Sequence, residues 1–369
     1  MRYAWAEVDL DAIRHNVGVV RQVVAPATVW AVVKADAYGH GAAAVSLATL
    51  EAGAAGLCVA LVDEGIELRA AGITAPILVL SEQPLSQLSA AVEHRLTLSV
   101  YSVAMIEALS KSATDGPVDV HLKVNTGMNR VGAAPGDAVA LATLIEANPR
   151  LNLQGVFTHL AMADEPSAPS NAAQLSTFEA VLAELDNADI HPPLIHAANS
   201  AAALSLPGSR FNMVRLGIAM YGIEPGPGVA DLCDDLRPVM ALKARVGFVR
   251  RVSAGEGISY GLRHRFERDT TVATVPIGYA DGVPRRLYST GGVVLIGGKR
   301  RPIVGVVTMD QIMVDCGDDI VEIGDEVVLI GQQEAEKISA EDWAKQLDTI
   351  GYEIVCGISK RIPRRYLHL

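Results

Sequence analysis

The 369-residue sequence predicts a (β/α)8 barrel followed by a mainly β domain, and three observations support this. Eight short β-branched runs alternate with Ala/Leu/Glu-rich stretches of helical length between residues 28 and 217. From about residue 236 onward, after a Pro/Gly-rich segment, short alternating strands with glycine turns replace this pattern. The chain is also longer than one hydrophobic core usually organises, which favours two domains.

The barrel prediction depends on counting the β-branched runs. They are TVWAVVK (28–34), GLCVAL (56–61), PILVL (76–80), LTLSV (96–100), VDVHLKV (118–124), LQGVFTH (153–159), PLIHA (193–197) and NMVRLG (212–217). Eight units in about 200 residues fit a closed barrel, in which chemistry is placed where strands end. An open doubly wound sheet is the alternative, because a strand count from one sequence is easily off by one.

We assign residues 1–235 to the barrel domain and residues 236–369 to the β domain. The strand-like segments of the second domain are ALKARVGFV, TVATVPIGYA, GGVVLIGG, IVGVVTM and EVVLIG. Its one helical candidate is SAEDWAKQL. The segment WAEVDL precedes the first counted run, so pairing of residues 1–10 with the β domain is an open alternative.

Composition excludes several classes of partner. The formal net charge of -11 opposes non-specific attraction to nucleic acid or anionic lipid. The N-terminus lacks the apolar core of a signal peptide, and the longest apolar stretch, 42–62, predicts a helix leading into a buried strand. The four cysteines form no CxxC pair, so no zinc site or disulfide framework is predicted. We therefore expect a cytoplasmic protein with no metal, membrane or nucleic-acid partner.

The first barrel strand ends in AVVKADAYGHG, which places Lys34 at its carboxyl end and Tyr38 in a glycine-bounded loop. A lysine that emerges from an apolar strand is suited to attack a carbonyl carbon and form a Schiff base. The structural alternative is a lysine whose side chain extends to the barrel rim and into water.

Polar residues at the other strand ends accompany Lys34. They are Lys123 and Arg130 after strand five, His159 after strand six, His196, Asn199 and Ser200 after strand seven, and Arg215 in strand eight. Burying such polar groups without partners at the carboxyl ends of the barrel strands costs free energy, so their presence together predicts a ligand site there. Taken singly, His159 also fits a satisfied core histidine and Arg130 an ordinary ion pair.

These runs resemble the motifs of the alanine racemase family. The matching segments are AVVKADAYGHG, HLKVNTGMNRVG, NMVRLGIAMYG, GISYG, PIGYADG, VTMDQ and GYEIVCGIS, in the family's order over nearly the whole chain. The resemblance implies a (β/α)8 barrel followed by a β domain and a pyridoxal phosphate cofactor. It also implies racemisation of L- and D-alanine, which supplies D-alanine for peptidoglycan synthesis.

The resemblance further implies roles for individual residues around the cofactor. Lys34 would hold pyridoxal phosphate covalently, Asn199 would help to fix it, and His159 would lie against its ring. The residues implied around the phosphate are Tyr38, Ser200, Gly217, Ile218 and Tyr352. Arg215 would face the pyridine nitrogen, and because arginine cannot accept a proton it would weaken the ring as an electron sink.

Racemisation removes a proton from one face of Cα and delivers one to the other, so a two-base mechanism requires a group on each side of the cofactor plane. The resemblance implies that Lys34 serves the D face and Tyr260 the L face, with Arg130 on the substrate carboxylate. Lys123 matches a lysine that several family members carbamylate, with an unmodified lysine as the alternative.

The β domain would also supply the substrate gate. The gate residues implied by the resemblance are Tyr260, Tyr279, Met309 and Asp310. In the family they reach the barrel of the other subunit, so we expect a homodimer with shared active sites.

Two positions depart from the family pattern, and other functions stay open. Thr308 stands where several relatives have cysteine, and Lys360 where an aromatic residue is common. A barrel that only carries pyridoxal phosphate is disfavoured by GISYG, because such barrels lack a β domain with a base tyrosine. A related amino-acid decarboxylase is disfavoured by Arg215, because those enzymes place an acidic residue at the pyridine nitrogen. Serine or a broader substrate range is an alternative to alanine.

Overall fold

The computed structural model describes residues 3–113 and 116–369, which divide into two compact units. The barrel unit comprises Ala12–Ala37 and Gly41–Arg237. The β unit comprises the residues up to Asp11, Tyr38–His40 and Pro238–Leu369. The first strand, β1 (Ala4–Asp9), belongs to the β unit, where it pairs with two later strands.

Eight parallel strands form the centre of the barrel unit. They are β2 (Thr28–Val32), β3 (Gly56–Val59), β4 (Ile77–Val79), β5 (Thr97–Val100), β6 (Val118–Lys123), β7 (Leu151–Phe157), β8 (Leu194–His196) and β9 (Met213–Leu216). Strands β2 to β8 pair in chain order, and β9 pairs with β2. Most of their residues are buried on both faces, as expected for a parallel sheet covered by helices.

The sheet closes on itself between β8 and β9. The Asn212 amide donates to Ile195 O at 3.4 Å, and the Arg215 amide donates to Ala198 O at 3.0 Å. These hydrogen bonds complete the ring, so the predicted barrel is confirmed and the open doubly wound sheet is wrong. All eight predicted runs form barrel strands.

Helices cover the barrel and two more lie in the β unit. Their bounds are Leu10–Val24, Ala42–Glu51, Val62–Ala70, Leu88–Glu93, Val103–Ser112, Ala138–Glu146, Pro169–Asn187, Ser200–Ser205, Ala340–Leu347 and Gly351–Cys356. Short 3-10 turns occur at Leu85–Gln87, Pro135–Asp137, Pro207–Ser209, Ile218–Tyr221, Pro227–Leu232, Tyr260–Leu262, Tyr279–Asp281 and Arg285–Ser289. Among the described residues, none of the helices has both the length and the apolar character needed to cross a membrane.

The β unit is built from three sheets. Its remaining strands are β10 (Met240–Arg245), β11 (Phe248–Val252), β12 (Gly257–Ile258), β13 (His264–Arg265), β14 (Thr270–Val275), β15 (Val293–Ile296), β16 (Lys299–Pro302), β17 (Ile312–Gly317), β18 (Glu326–Gln333), β19 (Glu336–Ile338) and β20 (Arg364–Leu367). The largest sheet has the order β16-β15-β18-β10-β1-β20, with β19 on β18. The others are β11-β14-β17 and the hairpin β12-β13.

Two predictions for the β unit were wrong in detail. The run IVGVVTM contributes only an isolated bridge at Ile303, because Gly305 adopts a left-handed conformation (φ 67°) that ends extended pairing. A side chain at Gly305 would lie within 3.0 Å of Ile258 and Ser259, so only glycine fits there. A second helix, Gly351–Cys356, forms where the sequence indicated none, because tertiary burial of its apolar residues outweighs their β-branched character.

Candidate active site

Arg215 is the most buried charged group at the strand ends of the barrel. It lies on β9 with 3% of its surface exposed, and desolvation lowers its pKa to about 10, so it stays cationic at neutral pH. Its Nη1 donates to His196 Nδ1 at 2.6 Å and His196 O at 3.4 Å. Its Nη2 donates to Thr158 O at 2.9 Å, Ala197 O at 2.9 Å and His159 Nδ1 at 3.0 Å. Backbone and imidazole acceptors thus fix both terminal nitrogens.

These contacts set the protonation of three histidines. Arginine only donates, so His159 and His196 both accept at Nδ1 and carry their proton on Nε2. Burial, followed by the charge of Arg215, lowers the pKa of both imidazoles well below the ordinary value, so both are neutral. His196 Nε2 then donates to His121 Nδ1 at 2.8 Å, which fixes the direction of the whole relay.

His121 is a further member of this relay and is not among the site residues predicted from the sequence. It is fully buried on β6, and its Nε2 has no hydrogen-bond partner among the described residues. Burial and then Arg215 lower its pKa to about 3, so it is neutral as well. Its position two residues before Lys123, on the same face of the strand, is the signal that could have identified it.

The strand ends carry a surplus of positive charge. Burial lowers the pKa of Lys123 to about 7, and Arg215, Arg130 and Lys34 contribute to the shift in that order. Burial also makes the largest contribution to the lowered pKa of His159. The charges that add to it are those of Arg215, Lys123, Arg130 and Lys34. Lys123 donates to Leu80 O at 3.2 Å. The structure therefore brings these predicted site residues into one electrostatic neighbourhood, in which anionic ligands are favoured.

Lys34 follows β2 and begins an unusual backbone turn. The turn Lys34–Tyr38, predicted as a loop, is left-handed at four consecutive residues that are not glycine, Ala35 to Tyr38, with φ between 52° and 54°. Lys34 is half-buried, and its amine makes no hydrogen bond or ion pair with the described residues. An amine in this state is available for covalent chemistry.

The predicted residues after strands seven and eight lie together. Asn199 caps the helix Ser200–Ser205 by accepting from the Ala202 amide at 3.0 Å. Ser200 Oγ accepts from the Gly217 amide at 2.8 Å and the Ala219 amide at 3.3 Å. These contacts join the start of the helix to the turn Ile218–Tyr221 after β9, so the residues predicted at the phosphate after strands seven and eight lie side by side.

The remaining predicted residues belong to the β unit and lie at three places in it. The rings of Tyr38 and Tyr352 lie 6.0 Å apart. The Tyr279 amide donates to Thr308 O at 3.0 Å, beside Met309, which is 52% exposed. Tyr260 is the most exposed of these aromatic residues at 72%, on a loop where Ser259 Oγ donates to Val306 O at 2.7 Å.

Asp310 is tied to the surface of the β unit by Arg361. Arg361 Nη2 donates to Asp310 Oδ1 at 2.7 Å, and its Nε lies 3.5 Å from the buried carboxylate of Asp281. The pairing with Asp310 also raises the pKa of Arg361. Asp281 accepts from the Gly278 amide at 3.0 Å, so one charged cluster holds the segments that carry Tyr279 and Asp310.

The four cysteines, Cys58, Cys233, Cys316 and Cys356, are free thiols. Cys58 is fully buried near Arg215, and desolvation raises its pKa to about 12, so it is a neutral thiol with no nucleophilic role at neutral pH. Among the described residues there is no group of three or more His, Cys, Asp or Glu side chains arranged to hold a metal.

Comparison with known proteins covers nearly the whole chain. Models of the alanine racemase N-terminal and C-terminal domains match residues 8–225 and 239–366. Alanine racemase from Symbiobacterium thermophilum is 47% identical over 99% of this chain and 97% of its own. Alanine racemase 1 from Bacillus subtilis is 42% identical over 99% and 93%.

Solved structures agree with these sequence matches. Alanine racemase from Streptomyces coelicolor superposes with a TM-score of 0.95 at 41% identity, covering 100% of this chain and 98% of that one. The Bacillus anthracis enzyme, described with bound L-Ala-P, gives a TM-score of 0.94 at 40% identity over 100% and 96%.

Proposed function

The chain belongs to the alanine racemase family, and from this premise we propose that it interconverts L- and D-alanine with pyridoxal phosphate held by Lys34. One observation carries the proposal: positively charged residues at the ends of the barrel strands surround the neutral His159, and the Lys34 amine among them makes no hydrogen bond or ion pair with the described residues. Supply of D-alanine for peptidoglycan from the cytoplasm is part of the same proposal.

The residues present fit the cofactor by two observations. Arg215 Nε makes no hydrogen bond to the described residues, unlike both Nη atoms, so one donor remains for the ring nitrogen. No carboxylate is among the groups that shift the pKa of His159 or Lys123. The positive charge of the neighbouring lysine and arginine side chains therefore favours binding of anionic groups such as a phosphate and a carboxylate. We assign the phosphate to Ser200, Gly217 and Ile218, and the resemblance adds Tyr38 and Tyr352.

In the proposed mechanism, two side chains move protons. The cofactor's contribution is an electron-withdrawing ring joined to the substrate nitrogen, which acidifies the Cα proton. On the D face, the neutral Lys34 amine would remove the proton and its ammonium form would deliver one; on the L face, the Tyr260 phenolate would remove the proton and the phenol would deliver one. Arg215 offers the ring nitrogen a donor that does not release its proton, which keeps electron withdrawal moderate and favours prompt reprotonation.

We assign the remaining residues to orientation and access. Arg130 binds the substrate carboxylate, His159 presents its ring to the cofactor, and Asn199 secures it. The gate residues of the β domain are Tyr260, Tyr279, Met309 and Asp310. Residues 1–235 would thus supply most of the cofactor site, and residues 236–369 would supply Tyr352 at the phosphate, the second base and the gate.

The direct test is a racemisation assay over a panel of L-amino acids, with the visible absorbance of the protein recorded before and after borohydride reduction. We expect alanine to be the fastest substrate and the absorbance band to disappear on reduction, because reduction fixes the cofactor on Lys34. Serine racemisation at a comparable rate would broaden the substrate range. No racemisation of alanine, or no reducible band, would overturn the proposal.

The two-base assignment predicts an asymmetry in proton exchange. In Tyr260→Phe, racemisation should fall by about 10²- to 10⁴-fold, because a general base is lost. D-Alanine should still exchange its α-proton for deuterium in heavy water through Lys34, whereas L-alanine should not. Mass spectrometry and chiral chromatography would measure both. Rapid exchange of L-alanine by the variant would exclude Tyr260 as the L-face base.

Sites shared between two subunits predict complementation. Lys34→Ala and Tyr260→Phe proteins should each be inactive, but after subunit exchange the mixture should regain about a quarter of wild-type activity. Half of the dimers are then hybrids, and each hybrid has one intact site. Analytical ultracentrifugation and differential tags would verify exchange. Exchange without recovered activity would argue against sites built from two subunits.

The lowered pKa of Lys123 predicts carbamylation. At pH 7 about half of the amine is neutral, and the neutral nitrogen can attack CO2 and release a proton to solvent. Modification at constant dissolved CO2 should therefore increase from about pH 6 to 8. Native intact-mass measurement would detect the added CO2, with Lys123→Met as the unmodified control. An unchanged mass at pH 8 would favour the unmodified lysine.

A further inference from the structure

The turn after Lys34 adopts a conformation that its own sequence disfavours. Ala35 has φ and ψ of 52° and 49°, Asp36 has 54° and 47°, and Ala37 has 52° and 51°. For residues other than glycine, left-handed geometry costs roughly 1–2 kcal/mol per residue and is normally visited one residue at a time. Neighbouring groups must therefore hold this segment in place.

One side chain outside the turn bonds directly to its first peptide. Glu64 Oε1 accepts from the Ala35 amide at 2.6 Å. Glu64 Oε2 accepts from the Ala60 amide at 2.8 Å and the Leu61 amide at 3.1 Å, at the start of the helix Val62–Ala70. A single carboxylate thus ties the peptide that follows Lys34 to the N-terminus of a helix packed on the barrel.

The position of this hydrogen bond explains why it matters for Lys34. The Ala35 amide shares a planar peptide group with the Lys34 carbonyl, so fixing it fixes the backbone on the carboxyl side of Lys34. Ala35 N–H has no other acceptor among the described residues. Other contacts of the turn, such as Ala37 N to Val33 O at 2.9 Å and Ala42 N to Asp36 Oδ1 at 2.8 Å, involve residues after Ala35.

We propose that Glu64 is a positioning residue, which holds the left-handed turn so that the Lys34 amine meets the cofactor aldehyde and the α-proton. The inference rests on the proposed role of Lys34. A misplacement of about 1 Å in a reacting group costs on the order of 10²-fold in rate, and rotation of an unpinned peptide moves the long lysine side chain by such a distance.

The test compares Glu64→Gln with Asp63→Asn. Both remove one negative charge from the first turn of the same helix, but Asp63 is exposed and makes no contact with the Lys34 turn. The glutamine has one acceptor oxygen and cannot serve both the Ala35 amide and the helix start. We expect Glu64→Gln to lower kcat/KM for alanine by about 10- to 100-fold and to weaken pyridoxal phosphate binding, and Asp63→Asn to change neither by more than about 2-fold.

Rescue by glycine separates positioning from helix capping. Ala35→Gly lowers the cost of left-handed geometry in the turn without touching the helix. Added to Glu64→Gln, it should recover part of the lost cofactor affinity and rate. If Glu64 only caps the helix, glycine at Ala35 will recover nothing, and the proposal is wrong.

A second variant decides the matter if Glu64→Gln does not fold. Glu64→Asp keeps the charge at the helix start but is one methylene too short to bond Ala35 as well. A native melting temperature with weakened cofactor binding and rate supports the proposal, and wild-type values overturn it. The experiments on both Glu64 variants require a wild-type protein that binds pyridoxal phosphate and racemises alanine. If the wild-type protein does neither, the proposed function itself is wrong.

Discussion

Replacing Lys34 with alanine is expected to lower kcat/KM for alanine by about 10⁴- to 10⁶-fold, the largest loss for any single side chain in this protein. The lysine has two proposed roles, as the covalent anchor of the cofactor and as the D-face base, so one substitution removes both. Its amine has no partner among the described residues, so the free energy of unfolding should change by less than about 1 kcal/mol.

The measurement combines a chiral assay with borohydride reduction and intact mass. Wild-type protein should retain one reduced cofactor per chain after denaturation, and Lys34→Ala should retain none. The exposed Lys111 offers a matched control, because Lys111→Ala removes a lysine amine far along the sequence from the site. A Lys34→Ala protein that keeps a covalent cofactor, or that racemises within tenfold of wild type, would refute the assignment.

Exchanging Arg215 for glutamate should change the chemistry as well as its rate. A carboxyl group at the ring nitrogen can share a proton with it, so electron withdrawal should increase and reprotonation at Cα should become slower. We expect racemisation to fall by about 10²- to 10³-fold and the fraction of turnovers that yield pyruvate to rise. Pyruvate and D-alanine measured in the same reaction give this partition.

The same substitution should also destabilise the fold. The guanidinium satisfies three backbone carbonyls and two imidazole nitrogens, and these would lose their donors. A loss of about 3–5 kcal/mol in the free energy of unfolding is expected. Arg215→Lys is the control. It should lose stability, because an ammonium group cannot satisfy all five acceptors of the guanidinium. It should keep the wild-type ratio of pyruvate to D-alanine, because it retains a cation that only donates. Equal partition in both variants would contradict the proposed electronic role.

The barrel could be predicted because each of its strands is encoded by a short, contiguous stretch of sequence. Each strand is a short apolar run, and strands such as Thr97–Val100 are buried on both faces, so composition and spacing identify them without tertiary knowledge. The convergence of Lys34, Lys123, His159 and Arg215 then follows from parallel strands, whose carboxyl ends meet at one edge.

What the sequence did not reveal depends on contacts between distant segments. The left-handed turn after Lys34 is built from alanine, aspartate and tyrosine, which give no local signal for it, and Glu64 lies 29 residues from the amide that it binds. The protonation of His121 and His196 follows only from the donor direction of Arg215. In the same way, Gly305 ends a run that has the composition of a strand, because its left-handed conformation interrupts extended pairing.

The position of β1 links the fold to the order of synthesis. The barrel strands β2 to β8 pair with neighbours that leave the ribosome soon after them, so the barrel can assemble as the chain grows. By contrast, β1 lies between β10 and β20 in the β unit, and its residues Ala6–Asp9 pair with Arg364–Leu367. One edge of β1 therefore stays unpaired until residues 364–367 have been translated, so the largest sheet of the β unit cannot be completed while the barrel strands are being made.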